Sequence, residues 1–126
     1  MQADCANIEV SIDISPTFEV MVDPGLFEQV LINLIKNASE ATLGQARRQI
    51  RLVAQHIDQI ACLDIIDNGS GISEQAAASI FVPFFTTKSD GTGIGLPLAR
   101  SLMLSQGGNL LLLNESQHGQ FRCVFG

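Results

Sequence analysis

Tryptophan and tyrosine are absent, lysine occurs only twice, and seven basic residues face thirteen acidic ones. The net charge of −6 excludes sequence-independent nucleic-acid binding, which needs Lys and Arg to neutralise phosphates. No apolar run approaches the roughly 18–20 residues that span a bilayer. No basic-then-apolar leader opens the chain. A soluble, cytoplasmic domain without direct membrane contact is expected, from a parent that is itself free to be membrane-bound. The three cysteines, Cys5, Cys62 and Cys123, are odd in number, far apart and without CxxC spacing. Neither a metal site nor a disulfide framework fits them. Cys62 and Cys123 lie in apolar runs and read as buried, inert thiols, compatible with a reducing compartment. Linkers, repeats and low-complexity stretches are missing as well.

What remains is 126 residues, 46% of them hydrophobic: one domain over residues 1–126, with enough apolar material for one core. Ile8 to Ile14 alternate apolar and polar, the period of a half-buried strand. Pro16 breaks it, and Phe18 to Val22 reads as a second short strand. Asp23-Pro24 is a helix start, Asp as N-cap and Pro in the first turn. Leu26, Phe27, Val30, Leu31, Leu34, Ile35 and Ala38 keep helical spacing, ending near Gly44. Arg47, Arg48 and Arg51 read as a solvated stretch between helix and strand. Ile50 to Ala54 and Ile60 to Ile66 are two further strands, with a turn at His56 to Gln59. The second is nearly all apolar and suits a central strand. A short helix at Glu74 to Ile80, a Thr- and Gly-rich loop to Gly95, a helix at Leu96 to Ser105 stopped by Gly107-Gly108, and a hairpin of Asn109–Leu113 and Phe121–Phe125 complete the chain. The order predicts an α/β two-layer sandwich: a mixed, mostly antiparallel sheet of about five strands plus a short N-terminal strand pairing, with three helices on one face.

Four segments place polar and Gly residues where packing alone would not. In "LINLIKNASEA", Asn33 and Asn37 are four apart and share a helix face. Asn is a mediocre helix former, and side-chain carbonyls suit a hard cation and its phosphates; ordinary core or cap asparagines would show the same spacing. In "LDIIDNGSGI", Asp67 ends an apolar strand and can accept hydrogen bonds from an exocyclic amine. Gly69 and Gly71 permit a tight turn beside it, and a plain Asn-Gly turn is the alternative. In "FVPFFTTK", Phe81, Phe84 and Phe85 either anchor a loop or simply fill the core, while Lys88 is a point charge suited to phosphate. In "GTGIGLPLAR", Gly91, Gly93 and Gly95 lead into a helix whose N-terminus favours anions. The spacing is neither a Walker A loop nor a dinucleotide fingerprint.

Taken in order, these segments resemble the N, G1, F and G2 boxes of the sensor histidine kinase catalytic domain. That domain has the Bergerat ATP-binding fold, shared with DNA gyrase, mismatch-repair ATPases and a heat-shock chaperone ATPase. The resemblance runs from about Ile8 to Phe125. It implies ATP and Mg²⁺ as cofactors, with Asn37 as main metal ligand and Asn33 beside it. It implies that Asp67 takes the adenine amine, that Gly69, Gly71 and Ile72 shape the base pocket, and that Phe81 lies near it. Lys36, Thr87 and Lys88 would approach the phosphates, Lys88 with a catalytic part. Gly91, Thr92, Gly93, Ile94, Gly95 and Leu96 would flank the triphosphate, under a short lid at about 86–92 of the nitrogen-regulation type.

The departures are informative. Glu40 stands where many members have Lys, which removes one expected phosphate contact, and Pro97 replaces a small residue. Asn33 occupies the position at which gyrase-like members carry a water-activating Glu, and it cannot take a proton. ATP held here should await an external nucleophile, a histidine on an upstream dimerisation domain that passes its phosphoryl group to a response regulator receiver domain. Neither His56, in an expected turn, nor His118, in a loop, resembles such an acceptor, and the resemblance puts the acceptor helix pair that makes such kinases dimers upstream, so the chain alone is expected to be a monomer that does not label itself. The rival readings are an anti-sigma-type serine kinase and, favoured by Glu40, a non-catalytic nucleotide-binding interaction module.

Overall fold

The computed structural model describes residues 7–82, 95–113 and 118–126. Its five strands are β1 (Ile8–Ile14), β2 (Arg48–Ile57), β3 (Ile60–Asp67), β4 (Asn109–Leu112) and β5 (Gln120–Phe125). They form one sheet in the order β1-β2-β3-β5-β4. Helix α1 (Pro24–Ala41) carries the chain back between β1 and β2, so those two pair in parallel, as a crossover requires. The other pairs are antiparallel. A single turn, α2 (Glu74–Ala77), and α3 (Gly95–Ser105) complete the described elements. This is the expected mixed sheet with helices, with two corrections. Two full helices and one helical turn stand in place of three helices. Phe18 to Val22 is not a strand, because no described strand runs beside it to complete a ladder. Phe18 instead sets its ring against His56 at 5.6 Å and Phe125 at 6.2 Å.

One face of the sheet carries the core. Val30, Leu34 and Ala38 recur every fourth residue of α1, and Ala99 and Met103 do so in α3. Their stripes close on Ile50, Ala54, Leu63, Ile65, Leu110, Phe121 and Cys123. β3 is central and mostly buried, as its apolar run predicts. Its one charged interior residue, Asp64, faces the other side of the sheet from Leu63 and Ile65. Directly opposite lies Arg122, whose Nε and Nη2 donate to Asp64 Oδ1 and Oδ2 at 2.7 and 2.8 Å. Gln120 Nε2 adds a bond of 3.0 Å. A buried carboxylate needs that company.

Local signals and tertiary ones share the element ends. Asp23 Oδ1 accepts from the Leu26 amide at 3.1 Å, the expected N-cap. α1 ends at Ala41, short of Gly44. There Arg48, from the start of β2, donates through Nη2 to the Ser39 carbonyl at 2.8 Å and through Nε to Thr42 Oγ1 at 3.2 Å. Arg47 pairs with Glu9 at 3.0 Å and Arg51 lies 3.9 Å from Asp13. Arg47 and Arg51 stay mostly exposed, as expected of a solvated stretch, while Arg48 is partly buried against the end of α1. The Arg47 guanidinium holds the Glu9 carboxyl below its usual range. β2 runs on through His56 to Ile57, and the turn is only Asp58-Gln59, both at positive φ. That conformation continues the strand twist in a two-residue hairpin. His56 is thus a strand residue, contrary to the turn expected from sequence. Gly107 closes α3 at φ +84°, with Gly107 and Gly108 amides bonded to the Leu104 and Met103 carbonyls, the paired bonds of a Schellman stop.

Cys62 and Cys123 are buried and unpaired, as read from sequence. Burial raises both thiols above their ordinary value, Cys123 to about 12. Thiolate is the reactive form. Ellman's reagent at pH 8 should leave both untouched in the native chain and label both in denaturant. Rapid native labelling of Cys123 would contradict its place in the core.

Candidate nucleotide site

Helix α1 is the spine of the site. Asn33 and Asn37 lie half-buried on its flank, beside the core stripe of Leu34 and Ala38. The first residue of α3 meets this flank: a Cβ on Gly95 would stand 3.4 Å from Asn33 Oδ1. Two turns on, Gly69 abuts the last residue of α1, and a Cβ there would clash with the Ala41 carbonyl oxygen. About 12 Å of helix separates residues 33 and 41. The segments read separately in the sequence are therefore strung along one helix flank, Gly95 at one end and Gly69 with Asp67 at the other.

Asp67, the last residue of β3, is 3% exposed. Its Oδ1 accepts the Gly69 amide at 2.8 Å, and its own amide donates to the Gly119 carbonyl at 2.9 Å. Gly119 lies so close that a Cβ would strike both carboxylate oxygens. The carboxylate is held in place by these contacts, and a carboxylate can accept at both of its oxygens. Asn68 ties the turn to β2. Its Oδ1 accepts from the Gln49 amide at 2.9 Å, and its Nδ2 donates to the Arg47 carbonyl at 2.6 Å. Gly71 takes φ +83°, a conformation that side chains resist. A cleft of about 370 Å³ opens beside Asp67, lined also by Ile50, Asn68, Val10 and His118.

Other expected site residues lie further from this geometry. Ile72 and Leu96 pack, partly buried, against the core. Phe81 sets its edge against the buried Phe121 at 6.4 Å and lies under the Arg100 guanidinium at 4.8 Å, so its ring packs, partly buried, against the core. Lys36 is exposed. Thr87, Lys88, Gly91, Thr92, Gly93 and Ile94, with the lid at 86–92, fall outside the described residues. Among the described residues no group of three or more His, Cys, Asp or Glu could hold a metal. The side-chain carbonyls of Asn33 and Asn37 are of the donor type that suits a hard ion together with its phosphates. Among the described residues, no helix is long and apolar enough to cross a membrane.

Sequence reasoning missed Gly119 and set His118 aside as a bystander. Yet Gly119 fences the carboxylate, and His118 Nδ1 lies 3.2 Å from the Gly69 carbonyl oxygen. The visible signal was a Gly immediately before the last strand, read only as loop.

Comparison with known proteins agrees with this geometry. The two-component sensor PprA of Pseudomonas aeruginosa is 41% identical over 106 residues, covering 75% of this chain and 11% of PprA. The nitrogen regulation protein NtrY of Azorhizobium caulinodans is 33% identical over 115 residues, covering 86% of this chain and 14% of NtrY. The chain thus spans only a small part of these relatives. A solved catalytic domain of histidine kinase ThkA superposes with a TM-score of 0.83 at 28% identity, over 98% of this chain and 83% of that one. A family description matches residues 22–125. With a buried acceptor at the end of β3, an asparagine-bearing helix flank and glycines at both ends of it, the chain belongs to the family of histidine kinase-, DNA gyrase B- and HSP90-like ATPases.

Proposed function

We propose that this single domain is the ATP-holding catalytic unit of a sensor histidine kinase. The observation that carries this is Asp67: a buried carboxylate at a strand end, with glycine close on two sides, next to a helix that presents Asn33 and Asn37. An adenine amine would donate to Asp67. Asn37, with Asn33, would hold Mg²⁺ and with it the phosphates, aided by Lys36 and Lys88 and by the glycines leading into α3. Mg²⁺ would supply charge neutralisation on the transferred phosphoryl group. The chain's own part is positioning and electrostatics, which dominate phosphoryl transfer. Asn33 offers no general base toward water, so the bound nucleotide is kept for a protein acceptor. That acceptor would be a histidine on a dimerisation domain of the parent, with a response regulator receiver domain as next recipient. The resemblance to named sensor kinases and to a kinase catalytic domain supports the same reading.

The test incubates the chain and γ-labelled ATP with a separately produced phosphoacceptor helix pair from its parent. Acid-labile, base-stable label on the helix pair is the expected result, with none on the chain alone. Acid-stable label would mean a serine kinase. Free phosphate without labelled protein would mean an ATPase, and tight binding without turnover a nucleotide-binding module.

A further inference from the structure

We infer that His118 is a positioning residue for the nucleotide base, acting through the Gly69 carbonyl; this rests on the proposal that Asp67 receives adenine. The turn after β3 is intrinsically loose. Gly69 and Gly71 both lie within three residues, and Gly71 already occupies a positive φ. Three kinds of bond pin this turn. The Asn68 side chain fastens its first residue to β2. Asp67 Oδ1 takes the Gly69 amide. His118 Nδ1, 3.2 Å from the Gly69 carbonyl oxygen, takes the other side of the same residue. A carbonyl oxygen only accepts, so Nδ1 must carry the hydrogen.

The neighbouring residue completes the device. The Gly119 carbonyl receives the Asp67 amide, and its Cα lies against the Asp67 carboxylate. His118 and Gly119 thus bind Gly69 and Asp67 in one closed ring of contacts, joining the start of β5 to the end of β3 across about fifty residues of chain. Without the imidazole, the carbonyl side of Gly69 loses this bond while its amide keeps Asp67. The turn then samples more conformations, and a smaller fraction of sites holds the Asp67–Gly69 geometry that a base would meet. Such pre-organisation shows up as affinity, because only the competent fraction of sites binds.

The chemistry offers a sharp control. Nδ1 is two bonds from Cβ, as is the amide nitrogen of Asn, so His118→Asn places a donor in the same spot. His118→Gln places it one bond further out, and His118→Ala removes it. Calorimetric titration of the 126-residue chain with Mg-AMPPNP and Mg-GTP, well below the melting temperature of every variant, reads the effect. One hydrogen bond corresponds to about a fivefold change in affinity. His118→Ala and His118→Gln should weaken AMPPNP binding about fivefold and narrow its preference over GTP, whereas His118→Asn should stay within about twofold of the parent. Nitrogen NMR at pH 8 should show the Nδ1–H tautomer. Unchanged affinity and preference in His118→Ala, equal losses in the Asn and Ala variants, or an Nε2–H tautomer would each overturn the inference while leaving adenine binding intact. Failure of the unaltered chain to bind AMPPNP at all would overturn the underlying reading as well, and that result is visible before any variant is made.

Discussion

Replacing Asp67 by Asn should weaken binding of a non-hydrolysable ATP analogue by roughly 10- to 150-fold, with the domain still folded. The carboxylate is 3% exposed, and Oδ1 already takes the Gly69 amide at 2.8 Å. A carboxylate accepts at both oxygens, so it serves that amide and a base amine together. Asn has one acceptor and one donor end. With its oxygen toward Gly69, its amide nitrogen faces the incoming amine, donor against donor. With its oxygen toward the base, the Gly69 amide loses its partner. A hydrogen bond to a charged group is worth about 1.5–3 kcal/mol, which converts to the stated range. Guanine, with an acceptor in place of the adenine amine, should lose less or gain. Titration of Asp67→Asn with AMPPNP and with GTP decides the matter, and undiminished AMPPNP affinity would remove Asp67 from the site.

Leu34→Ala carries the largest expected effect on stability. Leu34 is 1% exposed and sits in the core stripe between Val30 and Ala38, next to Asn33 in sequence. Truncation forfeits transfer energy and leaves a cavity, together about 2–5 kcal/mol. For a domain of this size each kcal/mol lowers the melting temperature by about 4 °C, so a fall of roughly 8–20 °C is expected in circular dichroism. Ile32→Ala is the control. It lies on the same helix but is 52% exposed, and it should cost under about 1 kcal/mol. Equal losses in the two variants would mean that α1 does not dock by the face described. Partial loss of nucleotide affinity in Leu34→Ala, measured while still folded, is expected too, because the same helix carries Asn33 and Asn37.

The elements that were legible had local causes. The start of α1 follows from an Asp cap and a proline at adjacent positions, and the Asp23–Leu26 bond is that cap. The stop of α3 follows from two glycines. β3 follows from a run of apolar residues long enough for a central strand, and Asp67 is visible as the acidic residue that ends it. Misread elements had causes elsewhere in the chain. α1 stops at Ala41 where an arginine from β2 reaches its last turn. β2 continues through His56 because two residues without glycine, Asp58 and Gln59, accept positive φ once both strands are in register. Phe18 to Val22 has the alternation of a strand, but alternation supplies no partner.

The candidate site divides in the same way. Residue type and spacing alone determined that Asn33 and Asn37 share a flank, that Asp67 stands at a strand end, and that glycines lie where close approach is needed. These are properties of the period of a helix and of the small size of glycine, and both are local. Only the tertiary structure decided that Gly95 meets Asn33, that Gly69 meets the end of α1, and that Gly119 and His118 close on Asp67 and Gly69. Those contacts depend on β5 entering beside β3 in a register that pairs Ile66 with Gln120. Register is set by burying Phe121 and Cys123 on the helix side and pairing Arg122 with Asp64 on the other, an energy summed over the whole sheet that no short stretch of sequence contains.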